Sequence, residues 1–103
     1  MANLLLNPEP TFPAKVSIPI AGSEPIDVVF TFKYRDKDEF DEFINTRAGK
    51  TDSDSFMDMV TGWALEDKFT EDNVKLLLKK RIGTALAAYK VYVDELLGAK
   101  AKN

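Results

Sequence analysis

From Lys15 onward apolar and polar residues alternate: Val16, Ile18 and Ile20 are interleaved with Lys15, Ser17 and Pro19. The turn-forming stretch Ala21-Gly22-Ser23-Glu24-Pro25 separates this run from a second one. There Ile26, Val28, Phe30, Phe32 and Tyr34 share one face, and Asp27, Val29, Thr31 and Lys33 share the other. Successive side chains of a strand point to opposite faces, so the pattern predicts two strands joined as a hairpin or meander. Two strands are marginal alone, and the aromatic face of the second needs helices to cover it.

At Arg35-Asp36 the period becomes helical. Asp36 and Glu39 have capping-box spacing, and Phe40, Phe43 and Ile44 follow at i, i+3 and i+4. A polar loop from Thr46 to Ser53 leads to a second short helix starting near Ser53 or Asp54. Phe56, Met59, Val60 and Trp63 recur on it at i, i+3, i+4 and i+7, and Gly62 ends or distorts it. After the connector Leu65–Phe69, Thr70 is an N-cap with Glu71 and Asp72 in the first turn. The third helix turns Val74, Leu77, Leu78 and Ile82 inward. Gly83-Thr84 then breaks it and caps a fourth, with Leu86, Tyr89, Val93, Leu96 and Leu97 as its apolar face. The alternative is one helix from Glu71 to Leu97 that tolerates Gly83 at about 1 kcal/mol. Strands first and helices after give an α+β fold: a small N-terminal antiparallel hairpin or meander covered by about four α-helices.

Pro8, Pro10 and Pro13 lie within the first fourteen residues. Each fixes φ and removes a donor, so residues 1–14 are expected to form an extended, largely unpaired arm. Residues 15–97 then form a single α+β domain, and residues 98–103 a fraying tail. The arm holds Leu4, Leu5, Leu6 and Phe12 on a non-helical segment, where they dock on the domain or meet another chain.

The composition narrows the chemistry. With no cysteine and no histidine among 103 residues, there is no disulfide, thiolate nucleophile, usual neutral-pH base or imidazole ligand. Asp52-Ser53-Asp54 starts like a calcium loop, but Phe56 and Met57 stand where that loop needs a ligand and a glycine. The carboxylates crowd exposed helix starts rather than facing one another, and no glycine-rich loop follows a strand. An enzyme is not expected, nor a cofactor or a metal. No apolar run is long enough for a membrane span, and the N-terminus lacks the features of a signal peptide, so a cytosolic protein is the expectation.

Charge is split along the chain: residues 36–72 carry a net −8 and residues 73–103 a net +5. The basic segment 75–81, with Lys75, Lys79, Lys80 and Arg81, raises the alternative of a nucleic-acid-binding accessory factor in which Phe30, Phe32 and Tyr34 stack bases. Those aromatics are also the natural cover for the helices, and the net charge of −3 argues against nucleic acid.

A surplus of apolar residues remains. Met57, Leu65, Leu76 and Val91 fall off the best helical stripes, the arm adds three leucines, and Val29 with Thr31 marks the outer face of a sheet with open edges. This points to a binding protein. The contacts expected with a partner are Leu4, Leu5, Leu6, Met57, Trp63, Leu65 and Leu76, with Trp63 equally eligible for the core.

The ordered features resemble a known family. They run through Asn7-Pro8, Phe12, Val16-Ser17-Ile18-Pro19, Gly22 and Val28-Val29-Phe30-Thr31-Phe32-Lys33-Tyr34. Asp38-Glu39-Phe40, Gly62-Trp63, Phe69-Thr70, Asn73-Val74, Leu77 and the start of the Gly83–Tyr89 helix complete the string. Over nearly the whole chain this order is similar to that of tail assembly chaperones of long-tailed phages with non-contractile tails. Where relatives carry a Tyr-Pro-Gly type segment before the last helix, this chain has Arg81-Ile82-Gly83, which leaves the helix break open. The resemblance implies a non-enzymatic viral protein in the host cytoplasm, absent from the mature virion. Its implied partner is the tape-measure protein, kept soluble until the tail tube polymerises. It further implies a frameshifted longer form that recruits the tail-tube protein, and it leaves self-association open.

Overall fold

In a computed structural model that describes residues 4–98, the chain runs β1 (Thr11–Ile18), β2 (Ile26–Lys33), α1 (Lys37–Thr46), α2 (Asp52–Met59), β3 (Val60–Trp63), α3 (Glu71–Lys80) and α4 (Thr84–Leu97). The three strands form one antiparallel sheet in the order β1-β2-β3. This is the expected α+β class, with one strand more than the hydrophobic pattern revealed.

The hairpin register pairs Phe12 with Phe32, Ala14 with Phe30 and Val16 with Val28. Side chains directly opposite across a ladder share a face, so this set forms the helix-covered side of the sheet. Val16, Ile18, Val28, Phe30 and Phe32 are buried, while Lys15, Ser17, Asp27 and Val29 on the other side are exposed. Gly22 supplies the positive φ of 75° needed in the connecting turn. Strand β1 begins at Thr11, and the Tyr34 amide donates to the Pro10 carbonyl. Residues 11–14 are therefore paired, contrary to the expectation of an unpaired arm through residue 14. Pro13 is tolerated because β1 is an edge strand and one of its sides needs no donor. Residues 1–3 of the arm, and residues 99–103 of the expected tail, lie outside the described segment.

Helix α1 begins as expected: the Glu39 amide donates to Asp36 and the Glu39 carboxylate accepts from the Asp36 amide. Helix α2 starts slightly earlier than expected, with the Thr51 hydroxyl accepting from the Asp54 amide, and it stops at Met59. Here the sequence reading needs correction. Val60 adopts extended dihedrals, and Val60–Trp63 pair with β2 instead of continuing a helix. A bulge between Thr31 and Phe32 lets Thr61 drop out of the ladder, so Val60 and Trp63 both reach the covered face. The Trp63 ring centroid lies 6.4 Å from that of Phe30.

Helices α3 and α4 are separate. Arg81 leaves helical geometry, and the Thr84 amide donates to the Arg81 carbonyl across the break. Gly83, not Thr84, is the N-cap of α4, with no side-chain capping bond. A Cβ built on Gly83 would lie 2.8 Å from Pro19 Cγ, so the close approach of this break to the end of β1 requires glycine. The buried phase of α4 is Thr84, Ala88 and Tyr92, whereas Leu86 and Leu97, expected inside, are exposed. Ile82, also expected inside, is 88% exposed. α4 is apolar around most of its circumference, so its period could not select a face. Small Thr84 and Ala88 are the residues that allow the helix close to β1.

An aromatic column fills the core. Phe32 packs on Tyr92 with centroids 5.4 Å apart, Phe43 meets Tyr92 edge-on at 5.5 Å, and Phe56 meets Phe30 edge-on at 5.6 Å. The Tyr92 hydroxyl donates to the Lys33 carbonyl at 2.7 Å and accepts from Arg35 at 2.9 Å. Arg35 also donates to the Asp58 carbonyl and lies over the Phe43 ring. One part-buried network thus ties β2, α1, α2 and α4 together.

Candidate functional site

Trp63, at the end of β3, is only half-buried. Its indole N–H donates to the Asp67 carbonyl at 2.8 Å, and its ring meets Phe69 edge-on at 5.0 Å. These contacts fold the connector 64–70 into a wall. The Asn73 side-chain amide donates to the Lys68 carbonyl, and the Thr70 hydroxyl accepts from the Asn73 amide, which fixes the wall to the start of α3. Facing it, Asn73, Leu76, Leu77 and Lys80 stand at i, i+3, i+4 and i+7 along α3. With Trp63, Leu65, Asp67 and Arg81 they enclose a cleft of about 240 Å³.

A second hollow of about 130 Å³ shares Leu65, Leu77 and Arg81 with the first. It continues over Ile20, Ile26 and the ends of β1 and β2. The two form one apolar groove along the end of the sheet and the side of α3. Its charges are segregated: Asp67 sits on the connector side, and Lys80 and Arg81 at the C-terminal end of α3. Basic residues there also oppose the negative end of the helix dipole. Leu76 is 52% exposed and Ile26 56% exposed, whereas Val74 on the opposite side of α3 is fully buried. Helix α3 thus carries two apolar faces, one spent on the core and one left on the surface.

The structure brings Trp63, Leu65 and Leu76 together in this groove, out of the seven contacts expected from sequence. Met57 is half-buried against the core cluster on α2 and lines no part of the groove. Leu4, Leu5 and Leu6 are exposed on the arm, which joins the sheet at its other end. Sequence reasoning missed Ile20, Ile26, Leu77, Asp67 and the basic pair as groove residues. Ile20 and Ile26 flank the Gly22 turn and continue the strand alternation, so they read as core. Their place beside Leu65, Leu77 and Arg81 at that end of the sheet sets them apart.

Other chemistry finds little purchase. Phe30 and Phe32 are fully buried and cannot stack bases, and Lys75 pairs with Glu71 at 3.4 Å. The acids at the start of α2 serve its first turn, as the N-cap geometry at Thr51 requires. The Tyr92 hydroxyl has a pKa raised above its ordinary value of 10.0, first because burial disfavours the phenolate, with the Arg35 hydrogen bond and charge acting the other way. It belongs to the core network. Among the described residues no helix is long and apolar enough to cross a membrane, and no group of three or more acidic residues is arranged to hold a metal ion.

Compared with known proteins, the chain matches the family model described as phage tail assembly chaperone over residues 1–103. No curated protein and no solved structure gives a match.

Proposed function

The chain belongs to the phage tail assembly chaperone family, whose members are non-enzymatic, and from that premise we propose that it binds apolar helical segments of the tape-measure protein. It keeps that client soluble until tail-tube subunits polymerise and displace it. The observation that carries this reading is the exposed groove between the connector and α3, with Trp63, Leu65 and Leu76 on one apolar surface. A groove lined mainly by apolar side chains, with Arg81 where its two hollows meet and Asp67 and Lys80 on the cleft beside Trp63, suits an amphipathic helix that lays its i, i+3, i+4, i+7 stripe along it. Met57 and the arm leucines Leu4, Leu5 and Leu6 are proposed as contacts outside the groove. A tail-tube protein recruited through a frameshifted longer form, the host cytoplasm as the working compartment and absence from the mature virion complete the reading.

The energetics suit a holdase. Full burial of one large apolar side chain contributes about 1.5–3 kcal/mol, and the groove offers a few that are already half-covered. Association and ordering costs consume much of that gain, so each site stays weak and releasable. Many copies along one client then add avidity.

The test is co-expression with the tape-measure protein encoded by the same phage. Leu76→Glu, a surface change in the groove, is expected to lose client solubilisation, and Leu86→Glu, equally exposed on α4 but outside the groove, to retain it. Equal behaviour of the two variants would rule the groove out.

A further inference from the structure

Helix α2 ends at Met59 and β3 begins at Val60, with no residue between them. A change from helix to strand ordinarily takes a loop of a few residues. Here Val60 belongs to both elements. Its amide donates to the Phe56 carbonyl as in a helix, while its φ of −110° and ψ of 130° are those of a strand. The strand is short: three register pairs at the edge of the sheet, interrupted by the bulge between Thr31 and Phe32.

The same four residues fit the helix that precedes them. Phe56, Met59, Val60 and Trp63 recur at i, i+3, i+4 and i+7, so one further turn of α2 keeps Val60 on the buried side with Phe56 and Met59. In that turn the amides of Thr61, Gly62 and Trp63 donate to the carbonyls of Met57, Asp58 and Met59 instead of pairing across the ladder. What separates the two forms is Trp63. In the strand its indole donates to the Asp67 carbonyl at 2.8 Å and its ring meets Phe69 edge-on at 5.0 Å, which holds the connector 64–70 as a wall of the groove. In the helix Trp63 leaves both partners, and the cleft that it lines with Leu65 and Leu76 loses its wall.

We propose that β3 is a two-state latch: residues 60–63 exchange between an edge strand that builds the groove and a last turn of α2 that dismantles it. A ligand seated against Trp63 and Leu65 meets its site only in the strand form. It therefore stabilises that form, and conversion to helix expels it. The release of the client rests on the groove being the client site proposed above; the exchange itself does not.

The experiment uses the full chain without client and follows residues 60–64 by NMR relaxation dispersion. The helical form is expected at about 0.1–10% of the population, exchanging in microseconds to milliseconds. Its Cα shifts at Thr61, Gly62 and Trp63 should lie on the helical side of the strand values. Thr61 is exposed, lines neither hollow of the groove and donates only a long 3.4 Å bond to the Thr31 carbonyl. Thr61→Ala favours helix over strand on both propensities and should raise the minor population about five- to tenfold. Thr61→Val loses the same hydroxyl but stays β-branched, and should leave the population within about twofold. No exchange at these residues, minor-state shifts at random-coil values, or equal populations in the two variants would each overturn the latch.

A covalent lock separates the latch from the client. The chain has no cysteine, and a Cβ built on Gly62 lies 3.8 Å from Thr31 Cβ, a separation that a disulfide spans. Oxidised Thr31→Cys/Gly62→Cys should abolish the exchange. Co-purified with the tape-measure protein encoded by the same phage, it should release that protein more slowly than the same variant reduced. Equal release rates overturn the release step. The client reading is decided separately, by the comparison of Leu76→Glu with Leu86→Glu.

Discussion

Replacing Tyr92 with phenylalanine removes one oxygen from the part-buried edge of the core and keeps the ring. The ring contacts with Phe12, Phe32 and Phe43 persist, so the loss isolates two hydrogen bonds. One is donated to the Lys33 carbonyl at 2.7 Å; the other is accepted from Arg35 at 2.9 Å. A neutral bond contributes about 1 kcal/mol net and one to a charged group about 1.5–3 kcal/mol. Arg35 keeps the Asp58 carbonyl as a partner, which lowers the second value. The expected loss is about 2–3 kcal/mol, or roughly 10–20 °C in Tm for a domain of this size. Urea unfolding at pH 7 measures it.

The same hydroxyl gives a pH signature with a defined sign. Its folded-state pKa is raised, so the folded protein holds this proton more tightly than the unfolded chain. Its contribution is complete below the unfolded value near 10 and is lost as pH rises from there through the folded value. The wild-type advantage over Tyr92→Phe should therefore stay constant from pH 7 to 9. Above pH 10 it should shrink by up to about 1.4 kcal/mol per pH unit. A difference below about 0.5 kcal/mol at pH 7, or one that grows with pH, refutes the network as described.

Three further outcomes are expected. Gly83→Ala forces a Cβ within 2.8 Å of Pro19 Cγ and should cost about 1–3 kcal/mol in thermal unfolding, although alanine is the better helix former; a neutral or stabilising result would show that the break can shift away from Pro19. Asp36→Ala removes the capping box of α1 at an exposed site and should cost about 1 kcal/mol, with Asp36→Asn losing less; equal losses for both would mean that the cap is not what matters. Leu76→Glu should change stability by less than about 0.5 kcal/mol, because the side chain is largely solvated already; a larger loss would make it a core residue and weaken its use as a groove probe.

Much of the frame was legible in order along the chain. The two alternating runs, the Asp36 and Thr70 caps and the turn at Gly22 are local events, decided by neighbours two to four residues away. The third strand was not. Val60–Trp63 follow Phe56 and Met59 at helical spacing, and only the open edge of β2 makes extended pairing the better outcome for Val60 and Thr61, both β-branched. The face of α4 was equally hidden, because the size of Thr84 and Ala88 matters only once β1 lies beside them.

The groove divides in the same way. That Leu65 and Leu76 exceeded what their elements could bury followed from periodicity alone, as did the arm leucines stranded among prolines. That Trp63, Leu65 and Leu76 converge, while Met57 and the arm stand elsewhere, was decided in three dimensions. Hydrophobic period tells which side of an element avoids water. It carries no information on which elements meet, and the groove exists where the connector 64–70, α3 and the Gly22 end of the hairpin come together with apolar side chains left between them.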